Sequence, residues 1–196
     1  METWKINGYT LEYDDESHTY IVDGVIVPSV TQIISAKFGN KYAGVDRSTL
    51  ERAASRGTAI HKAIEDFCKT GKDDGTKELH NFNFLMTYYE ARVLENEIPI
   101  IIINGDTPIA AGRLDLLLDI NGDFAIADIK TTATLDKDYL TYQLNLYRLG
   151  YSQSYGILAG ELYGVHLKND KRKLVNIPVN EGIAWEIIDE YERGKA

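Results

Sequence analysis

The sequence predicts an α/β (α+β) fold, a central mixed β-sheet flanked by helices, with β-hairpins at its N-terminal end. Turn dipeptides carry the first part of that reading. Asn7-Gly8, Asp23-Gly24, Asn104-Gly105 and Asn121-Gly122 each separate two strand-like runs, and such pairs supply the positive φ angles of two-residue hairpins. Helical periodicity in the segments between them carries the second. The order (strands, helices, three strands, helix, two strands, helix) carries the third, because it implies helices packed on a sheet.

Each element follows in turn. Residues 4–28 read as two successive hairpins. "PSVTQIIS" (28–35) offers Ser29 as the N-cap of a short helix. "STLERAASRGTAIHKAIEDFCKTG" opens with Ser48-x-x-Glu51, a capping-box spacing, and predicts a helix to about Lys69 with a break near Gly57. "ELHNFNFLMTYYEARVLENE" (78–97) is helical through Phe82, Leu85, Met86, Tyr89 and Val93. A three-strand meander follows over 98–131. A helix over 135–153 presents Leu140, Leu144, Tyr147 and Tyr151, and strands are expected near 155–168 and 173–179. Asn180 then caps a terminal amphipathic helix with Ile183, Ile187, Ile188 and Tyr191. The whole, 1–196, reads as one domain: hairpins and short helix in 1–36, a core in 46–153, strands and helix in 154–196.

Composition bounds the function. Hydrophobic residues make up 44% and charged residues 26%, enough for a core and against global disorder. The single cysteine, Cys68, excludes an internal disulfide framework and a Cys-rich zinc or iron–sulfur site. The start, "METWKINGYT", lacks an apolar signal-peptide region, and the apolar run "IPIIII" (98–103) is too short to span a membrane. A reducing, cytoplasmic setting with no membrane is the expectation. The net charge of −9 speaks against a generic nucleic-acid coat, though clustered carboxylates can serve a metal instead. The charge is uneven: Lys37, Lys41, Arg47, Arg52, Arg56 and Lys62 face only Asp46 and Glu51 in their segment. Alone, that pattern reads as a solvated helix face.

"FAIADIKTT" (124–132) carries the chemistry. It is an apolar strand holding Asp128 and Lys130 two residues apart, hence on one face. A two-residue turn at Asn121-Gly122 sets Ile120 against Asp123, Leu118 against Ala125 and Asp115 against Asp128. Two carboxylates would then oppose each other with Cβ atoms roughly 4.5–5.5 Å apart, which is destabilising unless a proton or a cation is shared. The same register sets Arg113 against Lys130. Either Lys130 neutralises the pair as a plain ion cluster, or a hard divalent cation sits there. His61 and Glu65 share a helix face at i, i+4, as do Gln143 and Tyr147. Each pair alone fits a surface contact or core packing.

Taken in order, His61, Asp115, Asp128-x-Lys130 and Gln143-x-x-x-Tyr147 resemble the RecB-like and phage-type exonuclease branch of the PD-(D/E)XK nuclease superfamily. Gly57-Thr58-Ala59-Ile60-His61 is similar to that family's G-x-x-x-H helix. "AGRLDLLL" looks like the strand of the first acid, "FAIADIKTT" like the D/E-x-K strand, and "YQLNLY" like the Gln-x-x-x-Tyr helix. The likeness spans roughly residues 10–150. It departs in that Leu114, not proline, precedes Asp115, and that the second acid is Asp rather than Glu. There is no G-x-x-x-x-G-K-[ST] motor motif.

The resemblance implies a restriction-endonuclease-like core and a DNA nuclease dependent on Mg²⁺ or Mn²⁺. A stand-alone phage or mobile-element exonuclease in recombination or repair is expected. The alternative is a degenerate nuclease fold that binds DNA or protein without cutting. Metal ligands would be His61, Asp115, Asp128 and the Ile129 carbonyl, with Glu65 a further candidate. Lys130 would orient the nucleophile, and Gln143 and Tyr147 would position water or phosphate. Arg56, Lys62 and Arg113 are candidates for phosphate contacts. DNA is the expected partner, with a single-strand annealing protein or separate helicase as further ones.

Overall fold

The structure is a computed structural model that describes residues 1–39, 44 and 46–195. Two sheets build it. The first joins β1 (Glu2–Ile6), β2 (Tyr9–Asp14), β3 (Thr19–Val22) and β4 (Val25–Val27) in sequence order, all antiparallel. These are the two expected hairpins, with Asn7, Gly8, Asp23 and Gly24 all at positive φ. The second orders β5 (Ala91–Asn104), β6 (Thr107–Ile120), β7 (Asp123–Lys130), β8 (Glu161–Lys168) and β9 (Lys171–Ile177). It is mixed, because β7 and β8 run parallel and the other neighbours antiparallel. The helices are α1 (Val30–Phe38), α2 (Arg47–Thr70), α3 (Lys77–Tyr88), α4 (Lys137–Tyr155) and α5 (Glu181–Arg193). Helix α4 is the crossover that a parallel β7–β8 pair requires. No helix among the described residues is long and apolar enough to cross a membrane.

Apolar side chains divide the fold into layers. One face of the five-stranded sheet packs Ile98, Ile100, Leu117, Ile126 and Leu162 against α1, α4 and α5. The other packs Leu116, Leu118, Ala127, Ile129 and Val165 against Ile60 and Ile64 of α2 and Leu79, Phe82 and Leu85 of α3. The N-terminal sheet lies on Ile101 and Ala111 through Leu11, Tyr20 and Val22. Ala111 also donates its N–H to the Pro28 carbonyl, which ties that sheet to β6.

Several sequence expectations need correction. Ser29 does cap α1, with the reciprocal Gln32 side-chain bond that makes a capping box. The cap of α2, however, is Asp46, whose side chain accepts from the Thr49 N–H. Ser48 lies in the first turn and donates its hydroxyl to Asp46. A carboxylate at that end also suits the helix dipole. Helix α2 passes Gly57 without a break; a Cβ there would sit 3.2 Å from the Thr131 hydroxyl, so this glycine permits a close approach rather than a kink. Helix α3 stops at Tyr88, and residues 91–97 belong to β5 instead of the predicted helix. The β5–β6 turn is Gly105-Asp106, since Asn104 still pairs with Thr107. Lys41 of the basic segment lies outside the described residues.

Candidate metal centre

The Asn121-Gly122 turn has both φ angles positive, at 56° and 95°. It sets the predicted register from Ile120↔Asp123 through Leu118↔Ala125 to Leu116↔Ala127, where the β6–β7 ladder ends. The next step in that register would bring Asp115 against Asp128. Strand β7 continues beside β8, pairing Asp128 with Gly164 and Lys130 with His166. Strand β6 continues beside β5. A fork therefore opens between β6 and β7 where two like charges would have met. Because pairing stops there, Arg113 lies across from Pro99 of β5 and does not face Lys130.

Opening the fork would leave the Ile129 peptide groups unpaired, and such groups need partners. Two predicted site residues provide them. The Asp115 carboxylate accepts the Ile129 N–H at 2.7 Å. The His61 ring reaches the Ile129 carbonyl through Nε2 at 3.0 Å. With Nε2 donating there, Nδ1 points at Asp115 Oδ2, 3.5 Å away. Ile60 and Ile64, the two buried residues of α2, anchor the turn that carries His61.

A third acid joins them that sequence reasoning missed. Glu97 lies between the ladder pairs Asn96↔Leu116 and Ile98↔Leu114, hence across from Asp115. Ligating atoms of His61, Glu97 and Asp115 all fall within 4.8 Å of one another. Glu97 has φ 51°, a left-handed conformation costing roughly 1–2 kcal/mol for a residue with a Cβ. Burial, and then the Asp115 charge, push its carboxyl up to about 7. Arg113, whose Nε lies 3.1 Å from Glu97 Oε2, opposes that rise.

Asp128 stands one step back from this trio. It is 2% exposed, and its Oδ2 lies 2.6 Å from Lys130 Nζ. The contact is a short, charge-assisted ion pair in which the ammonium donates to Oδ2. Burial raises the Asp128 carboxyl, Lys130 counteracts this, and Asp115 adds to it. Burial would lower Lys130, but the Asp128 and Asp115 charges outweigh it and hold its ammonium above the usual range. Behind them, Gln143 donates weakly to the Tyr147 hydroxyl at 3.4 Å, and Gln143 Oε1 has no partner. Tyr147 is buried beneath β6. A Cβ on Gly112 would come within 3.1 Å of its ring and of Val30, so the glycine of "AGRLD" makes room for it.

The remaining candidates go elsewhere. Glu65 is held by Lys69 at 2.5 Å and Lys62 at 3.3 Å and is outside the trio. Lys62 also pairs with Asp66 at 2.9 Å. Arg56 is bound to buried Glu78 and to Asn169. Arg113 bridges Glu97 and Glu2 and lies over the Tyr13 ring. Each of these three cations thus has a carboxylate partner within the protein.

The donor set fits a hard divalent cation. It offers an imidazole nitrogen, two converging carboxylates and a carbonyl, with the Lys130-paired Asp128 carboxylate on the adjoining strand. The Glu97 and Asp128 carboxyls are both raised, first by burial and further by the Asp115 charge.

Fold and site together define a class: an α+β domain with a His–carboxylate cluster at the fork of a mixed sheet. No protein-family model matches the sequence, and no curated protein matches it. Among solved structures, the crystal structure of SSO0001 is similar, with a TM-score of 0.51 and 17% identity over 87% of this chain and 77% of that one. At that identity the likeness concerns the fold.

Proposed function

We propose that the chain is a divalent-metal-dependent DNA nuclease, an exonuclease of the phage or mobile-element kind acting in recombination or repair. The observation that carries this reading is the meeting of His61, Glu97 and Asp115 beside the Ile129 peptide, with the Asp128–Lys130 ion pair on the same strand. Mg²⁺ or Mn²⁺ held by His61, Glu97, Asp115 and the Ile129 carbonyl would supply Lewis-acid polarisation of a phosphate and a more acidic bound water.

The chain's own residues do the rest. Asp128 keeps Lys130 charged and aimed, although Lys130 is largely buried. The ammonium can then offset negative charge that builds on a phosphate at the fork. His61 and Asp115 hold the Ile129 peptide, so its carbonyl faces the cluster. Gln143, seated on Tyr147, offers a buried acceptor oxygen for a water. Fork and side chains are preorganised before any substrate arrives, as electrostatic stabilisation requires.

The test is cleavage of linear and circular DNA, single- and double-stranded, with Mg²⁺, Mn²⁺ or chelator. Wild type should cut only with metal. Asp115→Asn and Lys130→Ala should each lower the rate by at least about 10²-fold, the scale of losing one electrostatic stabiliser. If wild type leaves every substrate intact with both metals, the non-cutting binding module is the better reading.

A further inference from the structure

We propose that a single strand of nucleic acid lies, backbone inward, in the groove between the first half of α2 and the loop 131–134, and leaves over the β8–β9 turn. This rests on the nuclease reading above and names the path of its substrate. The groove has a volume of about 690 Å³ and is lined by Leu50, Ala53, Ala54 and Gly57 of α2, by Thr131–Thr134 and by Lys168. It begins at the candidate centre, because Thr131 follows Lys130 in the chain and Gly57 abuts the Thr131 hydroxyl. That volume suits a drug-sized ligand and has room for one chain rather than a duplex.

Charge complementarity identifies the occupant. Lys130 pairs across the sheet with His166, and His166 with Lys173. Lys168 pairs with Lys171 in the next row but one. Side chains at paired positions share a face, as do those two residues apart. So Lys130, Lys168, Lys171 and Lys173 lie on one side of three adjacent strands, in a chain whose net charge is −9. The loop 131–134 rests on this side: His166 Nε2 meets the Thr132 carbonyl at 2.7 Å, and Lys171 donates to the Ala133 carbonyl at 2.9 Å. An ammonium has three donors, so Lys171 keeps two. The acid at the turn, Asp170, is bound by Lys77. Unlike Arg56, Lys62 and Arg113, Lys168 and Lys173 have no carboxylate partner among the described residues. The groove itself is lined by three threonines and by Lys168 and by no ring, and the other lysines lie beyond it towards the β8–β9 turn, so it offers contacts to phosphates but no platform for stacked bases.

The experiment measures binding without cutting. Fluorescein-labelled oligothymidylate is titrated with protein in chelator, by anisotropy, over a range of salt. Wild type should bind with a salt-dependent affinity. The triple variant Lys168→Gln/Lys171→Gln/Lys173→Gln should bind at least about tenfold more weakly at low salt, with a salt slope smaller by roughly 0.7 per lysine. Ala53→Trp fills the groove without changing charge and should also weaken binding, whereas Lys5→Gln and Lys195→Gln should not. Unchanged affinity and slope in the triple variant overturns the path. A lysine effect without a tryptophan effect places the strand outside the groove and overturns it too. Absence of wild-type binding does the same. In each case metal-dependent cleavage by wild type, measured separately, keeps the nuclease reading apart from the fate of the groove.

Discussion

Glu97 shows how one residue's titration should expose the centre. Its folded carboxyl titrates at about 7, raised first by burial and then by Asp115, whereas an exposed glutamate titrates near 4.3. Below the lower value both states are protonated and Glu97 costs nothing. Between the two values the unfolded chain releases a proton that the folded protein keeps, so stability falls as pH rises. Above about 7 the penalty is complete. Glu97→Gln removes that slope. In chelator, its melting temperature relative to wild type should be higher at pH 8 than at pH 5, at roughly 2–4 °C per kcal/mol for a chain of this size. An equal difference at both pH values would mean that Glu97 is not held neutral. The acid was hidden in the sequence because "ARVLENE" mixes strand and helix periods, and because its opposition to Asp115 depends on a register shift between Ile102 and Ile103. A bulge of that kind leaves no periodic signal.

Among the elements, the β6–β7 hairpin was the most legible. An Asn-Gly turn admits one register, and the ladder follows it for five pairs before the fork. What could not be read was where pairing ends, since that depends on the two carboxylates and on His61 arriving from α2. The Lys130–Arg113 apposition was lost for the same reason. Helix α2 was legible in extent but not in its relation to Gly57. A glycine within an exposed helix costs about 1 kcal/mol relative to alanine, which invites the reading of a break. Here the residue lies against the Thr131 hydroxyl at a distance that a rotating side chain can relieve. Gly57→Ala should therefore leave stability unchanged or raise it by up to about 1 kcal/mol in urea unfolding. A loss larger than that would show that the contact with Thr131 is rigid.

At the scale of the whole molecule, the α+β class and the two hairpins upstream of the core were readable because short-range turn chemistry dictates both. That the hairpins form a separate sheet, seated on Ile101 and Ala111, was not, because nothing local encodes how one sheet lies on another. The assembled molecule concentrates Glu97, Asp115 and Asp128 at one fork while carrying a net charge of −9. Folding must bring those acids together, and a cation that binds only the folded state returns stability by mass action. At a hundredfold excess over its dissociation constant that return is about 2.7 kcal/mol, or roughly 5–10 °C in melting temperature for a chain of this length. Mn²⁺ or Mg²⁺ should thus raise the melting temperature of wild type above that in sodium chloride of equal ionic strength, a control needed because salt alone screens a surface this acidic. Asp115→Asn removes a ligand but changes the surface charge by only one, so it should lose the metal-specific rise and keep the salt effect. An equal metal-specific rise in the variant would place the cation elsewhere, and no rise in wild type would leave the three acids without the partner their geometry calls for.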